Sequence, residues 1–247
     1  MASITLRKVT ADFPIYNSSS RSLKKVVLNA ATGGRIVGDQ KNKTLVRALD
    51  SIDLSIVDGE RVGLIGHNGA GKSTLLRVLN GVYCPTGGDI VVDGAVKSLI
   101  DISLGIDSEA TGRQNIFLRA AMMGINKQKV KEKIVEIIDF SELGPYIDMP
   151  VRVYSTGMHL RLAFSVSTFL RDDILLMDEW ISVGDHSFAE KAEARLRKLV
   201  DESKILVIAS HSPQFLESIC TRIVWMEHGS IRMDDLPEKV LPLCFGQ

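Results

Sequence analysis

The chain has 247 residues, 45% of them apolar and 24% charged, the balance of an ordinary globular protein. Thirty Lys and Arg offset thirty Asp and Glu, and this zero net charge excludes a nucleic-acid binder driven by bulk electrostatics. Three scattered cysteines, Cys84, Cys220 and Cys244, exclude a disulfide framework and point to a reducing compartment. No apolar run approaches the ~20 residues of a spanning helix, and the opening MASITLRKV has no signal-peptide core. A soluble, cytoplasmic chain is expected, folded as one large domain or as one domain with an inserted part.

Ile4-Thr5-Leu6 reads as a short strand. Residues 17–44, rich in Ser, Gly, Asn and Lys, carry no sustained hydrophobic period and read as an insertion before the core resumes. Ile52, Leu54 and Ile56 then alternate with Asp53 and Ser55, the period-two pattern of a half-buried strand. Asp58-Gly59 marks a turn, and Arg61-Val62-Gly63-Leu64-Ile65 is a strand that runs into a glycine-rich loop. Residues 72–80 are predicted helical, with Leu75, Leu76 and Leu79 on one face and Gly81 as the C-terminal stop.

From 100 to 170 helix follows helix. Thr111 and Gln114 form a capping-box pattern opening a helix through Met123. Asn126 caps the next, whose Val130, Ile134, Ile137 and Ile138 make one apolar stripe. Continuous apolar runs return at Ile174-Leu175-Leu176-Met177 and Ile205-Leu206-Val207-Ile208, as expected of strands buried on both faces of a parallel sheet. A charged helix over 188–201 separates them. Ser212-Pro213 opens another helix, 222–226 is read as a last strand, and His228-Gly229 as a turn.

Three motifs carry chemistry. Gly66-His67-Asn68-Gly69-Ala70-Gly71-Lys72-Ser73 fits the phosphate-loop pattern and, with Thr74 following, lies between a predicted strand and helix. Its glycines turn backbone N–H groups toward phosphate oxygens, Lys72 neutralises the β- and γ-phosphates, and the Ser73 hydroxyl ligates Mg²⁺. Asp178-Glu179 ends a buried strand. Alone it reads equally well as a solvated edge, but beside a phosphate loop it makes Asp178 the metal carboxylate and Glu179 the general base. Tyr154-Ser155-Thr156-Gly157-Met158 opens a helix whose apolar face is Leu160, Leu162, Ala163, Val166 and Phe169, a pattern that on its own is an ordinary N-cap.

In this order, with Ser210-His211 following, these segments resemble the nucleotide-binding domain of ATP-binding cassette (ABC) transporters across essentially the whole chain. The resemblance implies an α/β P-loop NTPase fold of the ABC ATPase type: a mixed-sheet core (1–98 and 171–247, with the insertion 17–44) and an inserted helical subdomain, 99–170. It further implies that Ser155, Gly157 and Met158 close over the γ-phosphate bound by a second copy, that Asp185 lies in the loop crossing the dimer axis, and that His211 is the γ-phosphate switch. The ligands implied are ATP and Mg²⁺. The family's usual glutamine between phosphate loop and signature is missing; Asp101 lies nearest its position as a candidate for metal or water. Phe13 and Tyr16 both stand where the family stacks an aromatic on adenine, and Tyr16 is favoured.

A narrower resemblance rests on Ser98-Leu99-Ile100-Asp101-Ile102-Ser103-Leu104-Gly105, Glu109-Ala110-Thr111-Gly112-Arg113-Gln114-Asn115-Ile116, Phe140-Ser141-Glu142-Leu143-Gly144, Val151-Arg152-Val153 before the signature, and Asp178-Glu179-Trp180-Ile181-Ser182-Val183-Gly184-Asp185. These are similar to segments of exporters of bacterial surface polysaccharide, the O-antigen (lipopolysaccharide) branch above all. The implied protein is a homodimeric ATPase at the cytoplasmic face of the inner membrane. It would be held there by a separate permease, in two copies, that contacts the polysaccharide, with no nucleic-acid partner and with 99–119 facing the permease. No added C-terminal sugar-binding domain is expected. Capsule, teichoic acid or another cargo is the alternative, and a soluble ABC ATPase acting on DNA or ribosomes the less favoured one.

Overall fold

The computed structural model describes residues 1–15, 35–38, 44–100, 102, 105–169, 173–179 and 186–246. They fall into two compact units. One takes in Met1–Ser98, Asp173–Trp180 and Lys204–Gln247; the other Leu99–Asp172 and Ile181–Ser203.

The first unit holds two sheets. Strands β1 (Ser3–Ile15), β2 (Arg35–Gly38), β3 (Thr44–Val57) and β5 (Gly87–Asp93) form an antiparallel sheet in the order β2-β3-β1-β5. In β3 the predicted alternation holds, with Ile52, Leu54 and Ile56 buried and Asp53 and Ser55 exposed. β1 is far longer than Ile4-Thr5-Leu6. Its register shifts between Leu6 and Val9, and Lys8, at φ 50°, donates its N–H to the Asp53 carboxylate at 2.9 Å. That bulge moves the buried positions from even to odd residues, which hides the second half of the strand from a period-two reading. β2 lies inside the predicted insertion; the remainder of 17–44 that precedes and follows it is outside the described residues, apart from Thr44, which begins β3.

The second sheet runs β10 (Ser230–Asp235), β9 (Arg222–Glu227), β4 (Arg61–Ile65), β8 (Ile205–Ala209), β7 (Ile174–Asp178), β6 (Val96–Ser98). From β9 to β6 all neighbours are parallel, and β10 adds an antiparallel edge, giving a mixed sheet. The continuous apolar runs are its central strands, and every residue of β8 is buried. Strand β9 is not the last, as the sequence reading had it. His228 and Gly229, at φ 49° and 82°, form a tight hairpin turn into β10, followed by helix α7 (Pro237–Phe245). Helix α1 (Lys72–Leu79) ends as expected at Gly81: Gly81 N–H bonds to Val78 O at 3.0 Å and Val82 N–H to Arg77 O at 2.9 Å, the paired bonds of a Schellman stop. Helix α6 (Pro213–Ile219) completes the unit.

The second unit is helical: α2 (Gly112–Met122), α3 (Lys127–Ser141), α4 (Thr156–Thr168) and α5 (His186–Glu202), with two short 3₁₀ turns at Gly144–Asp148 and Val151–Val153. Both predicted caps form. Thr111 and Gln114 bond reciprocally, and the Asn126 side chain accepts from Gln128 N–H. Ile116, Val130, Ile137, Leu162 and Val166 are buried together in its core. Within this unit α5 packs through Phe188, which meets Phe140 and Phe164 at ring separations of 5.7 and 6.1 Å. Phe164 is 0% exposed at the centre of that trio. Phe164→Ala is therefore expected to remove about 3–5 kcal/mol of unfolding free energy by denaturant titration, against roughly 0.5 kcal/mol or less for Val57→Ala on the surface.

Candidate functional site

Strand β4 is hydrogen-bonded on both sides, to β8 and β9, and delivers the chain to residue 66 at a fixed place. The loop then turns through left-handed glycines. Gly66 (φ 143°) lies directly against the Met226 carbonyl, where a Cβ would collide, and a Cβ on Gly71 (φ 108°) would come within 2.7 Å of Ala48 O. Gly71 is also the N-cap of α1, and no side chain among the described residues caps that end. The first N–H groups of α1 are left for an anion, with the helix dipole behind them. From the rear, Gly229 N–H donates to Ala70 O at 3.0 Å, while Asp50 N–H donates to Gly229 O at 2.8 Å.

Lys72 curls back over this loop. Its ammonium donates to Gly66 O at 2.6 Å and His67 O at 3.2 Å, and the residue is only 7% exposed. Burial pushes its pKa down, and the nearby charges of Asp178 and Glu179 oppose that shift. The two carboxylates come from the end of β7. Asp178 pairs in register with Ala209 of β8, and Glu179 N–H donates to Ala209 O at 2.9 Å. Glu179 adopts φ 75°, a left-handed conformation unusual for a residue with a side chain, which turns it out of the strand line. One residue beyond β8, Ser210 N–H bonds to Leu64 O at 3.3 Å, and His211 follows with Nε2 3.8 Å from Glu179 Oε1.

A cleft of about 330 Å³ brings together Asn68, Gly69, Gly71, Lys72, Ser73, Thr74, Asp178, Glu179 and His211. Gly66, His67 and Ala70 complete the loop. Ala70 is buried beneath it, and the His67 ring rests against His228 at 4.9 Å. Val46 and Ala48 of β3 also line the cleft, and Met226 and Gly229 back the loop; none of these four was foreseen. They sit in strands and a hairpin far away in sequence, so no local spacing marks them. The cleft fits a nucleotide polyphosphate: backbone donors, one buried cation, and no room for a Cβ at the two tightest turns. A hydroxyl (Ser73) and a carboxylate (Asp178) on the same cleft are the hard oxygen donors that Mg²⁺ takes together with phosphate oxygens.

The signature residues belong to the helical unit. Ser155 caps α4, its Oγ accepting from Met158 N–H at 3.2 Å, and a Cβ on Gly157 would meet nothing nearer than that Oγ at 3.9 Å. The Met158 side chain packs against the helical core. Phe13 meets Tyr83 edge-on at 5.0 Å. Tyr16, Asp101 and Asp185 lie outside the described residues.

Comparison with known proteins agrees with this geometry. The ABC transporter family matches over residues 49–182. The O-antigen export system ATP-binding protein RfbE of Yersinia enterocolitica is 44% identical over 94% of this chain and 97% of its own length. RfbB of Klebsiella pneumoniae, an O-antigen export system ATP-binding protein, is 36% identical over 97% and 96%. The teichoic acids export ATP-binding protein TagH of Staphylococcus saprophyticus is 38% identical over 97% and 87%. A solved ATP-binding cassette, described as a dimer in a post-hydrolysis state bound to ADP and Pi, shares the fold at TM-score 0.67 and 18% identity, over 95% of this chain and 98% of that one. No helix among the described residues is long and apolar enough to cross a membrane. With the phosphate loop, the Asp178-Glu179 strand end and the Ser155 cap all inside the matched span, the chain belongs to the ABC transporter family, as an ATP-hydrolysing cassette.

Proposed function

We propose that this chain is the ATP-hydrolysing subunit of an exporter of lipid-linked surface polysaccharide of the O-antigen type. It would work as a homodimer at the cytoplasmic face of the inner membrane, held there by two copies of a separate permease that contacts the polymer. The observation that carries this reading is the 44% identity to an O-antigen export ATP-binding protein over nearly the full length of both chains. A teichoic acid cargo is the second reading, supported by the 38% identity to TagH.

The residues divide the work as follows. The N–H groups at the start of α1 and the Lys72 ammonium hold the β- and γ-phosphates. Lys72 exchanges its bonds to two neutral carbonyls for bonds to phosphate oxygens, a stronger charge-assisted pairing. Ser73 and Asp178 would hold Mg²⁺, which neutralises charge building on the phosphate oxygens. Glu179, turned out of β7, accepts the proton of the attacking water, and His211 beside it faces the γ-phosphate. Catalysis is then mostly positioning and charge neutralisation. Ser155, with open space over Gly157, would close the same phosphate from a second copy, Asp185 lying at the axis between them. Tyr16 would stack on the adenine and Asp101 stand in for the missing glutamine.

Glu179→Gln should lower the ATPase kcat by ~10²–10⁴ while ATP binding, read by fluorescent-nucleotide titration, is retained; wild-type turnover in this variant would refute the assignment of the base. Lys72→Gln should weaken that binding itself, since the loop would lose its one buried cation. Co-expression with a permease of the O-antigen export type should raise ATPase activity, and crosslinkers placed at 99–119 should capture that permease. Activity indifferent to any membrane partner would overturn the exporter reading.

A further inference from the structure

Two of the polysaccharide-type segments, 109–116 and 151–153, have no part in the chemistry above, yet in the helical unit they and the residues beside them are built against each other. Arg152 N–H donates to Ser108 O at 2.9 Å, Val151 N–H to Ala110 O at 3.0 Å and Gly112 N–H to Met149 O at 3.3 Å, with a bridge between Thr111 and Pro150. The side chains repeat the pairing. Arg113 holds Asp148 at 2.7 Å, and Arg152 holds Glu109. Asn115, 1% exposed, fastens the first segment to itself by accepting from Asp107 N–H at 2.8 Å and donating to the carbonyls of Asp107, Ala110 and Thr111.

Tyr154 lies over Gly112 in this junction, with Ile147 beside it. The Tyr154 hydroxyl donates to Tyr146 O at 2.7 Å, and a Cβ on Gly112 would run into that hydroxyl. Gly112 is not among the residues with positive φ, so glycine is required there for space and not for backbone conformation. Burial raises the phenol's pKa, opposed by a hydrogen bond from the Gly112 backbone. Tyr154 is the residue immediately before Ser155, the cap of α4.

We propose that Tyr154, seated on Gly112, is a positioning residue that fixes the Ser155 cap to the N-terminus of α2, so that any displacement of α2 is delivered to the signature. This rests on the reading above that Ser155 serves the γ-phosphate of a second copy. It gives the 109–116 segment a role in turnover that its distance in sequence from the signature conceals. The seat contributes nothing to the phosphate loop, which lies in the other unit, so disturbing it should lower kcat and leave the KM for ATP alone.

The test is steady-state ATPase of the full chain, with turnover normalised to nucleotide-binding stoichiometry and the thermal unfolding midpoint read on the same samples. Ser155→Arg is the reference and should abolish turnover with ATP binding kept. Gly112→Ala is expected to lower kcat about 10-fold or more with KM within about two-fold, since even a displacement of about 1 Å in a catalytic assembly can be that costly. Tyr154→Phe, which loses one hydrogen bond, is expected to lower kcat about 3-fold with an unchanged midpoint. The double variant Gly112→Ala/Tyr154→Phe, in which the new methyl takes the space of the lost hydroxyl, should turn over faster than Gly112→Ala alone. A merely structural lesion would move the unfolding midpoint down and back in step with kcat, whereas a positioning role changes and restores kcat per nucleotide-binding site with the midpoint unchanged. Loss in Ser155→Arg beside wild-type kcat in both Gly112→Ala and Tyr154→Phe would overturn the strut alone; wild-type kcat in Ser155→Arg would overturn the signature reading and the strut with it. Should Gly112→Ala fail to fold, Tyr154→Phe decides: kcat reduced at unchanged KM supports the strut, and wild-type kcat overturns it.

Discussion

The phosphate loop cannot hold its own shape. It has three left-handed glycines, and its conformation is imposed from outside by backbone atoms of other strands: the Met226 carbonyl against Gly66, the Ala48 carbonyl against Gly71, and the Gly229 N–H bonded to Ala70. These walls come from β3 in one sheet and from the β9–β10 hairpin in the other. Shaped by van der Waals exclusion, the Gly229 bond and its own Ala70 N–H bond to His67 O at 3.1 Å, the loop leaves the N–H groups at the start of α1 for an anion. This is why both sheets are needed around a motif only eight residues long. It is also why the hairpin turn at His228-Gly229, which has no chemistry of its own, sits behind the loop.

Burying Lys72 follows from the same arrangement. A charged lysine at 7% exposure bears a desolvation cost, seen in its lowered pKa, and two neutral carbonyls compensate it only in part. Asp178 and Glu179 oppose that cost through space without cancelling it, since the net shift is still downward. Because much of this desolvation is already met in the chain alone, a phosphate entering the cleft gains the charge-assisted bonds at a smaller further cost. Glu179 can share the cleft because its left-handed backbone aims it away from the line of β7, beside His211 and not along the sheet.

What the sequence made legible follows from how local each signal is. The loop, its helix and the Schellman stop at Gly81 depend on neighbours a few residues apart and were all readable. So were the two caps of α2 and α3 and the buried runs of β7 and β8. Most of β1 was not, because the bulge at Lys8 resets the alternation midway. β5 has no fully buried residue, and its apolar run Ile90-Val91-Val92 is continuous although only Ile90 and Val92 are half-buried, which hides the alternation; α7 is interrupted by Pro242. Val46 and Ala48 escaped for a different reason: in a strand they look like any other β residues, and only the three-dimensional meeting of β3 with the loop makes them walls of the cleft. The helix 188–201 was readable as a helix, but its partners were not, because an amphipathic pattern says that a face is buried without saying against what.

Glycine carries two separate meanings in this chain, conformation and space, and the site residues show both. At Gly66 and Gly71 the backbone is left-handed and the space is taken, so any side chain is excluded twice over. At Gly112 the backbone is ordinary helix and only the space is taken, by a hydroxyl that another residue supplies. At Gly157 neither condition holds within the unit. Nothing within the unit requires glycine there, since a Cβ would meet only the Ser155 Oγ at 3.9 Å, and this leaves room for an approach from outside. The second copy's nucleotide is the approach that the proposed function supplies. On that view the glycines of the phosphate loop answer to their own fold, Gly112 to Tyr154, and Gly157 to a partner.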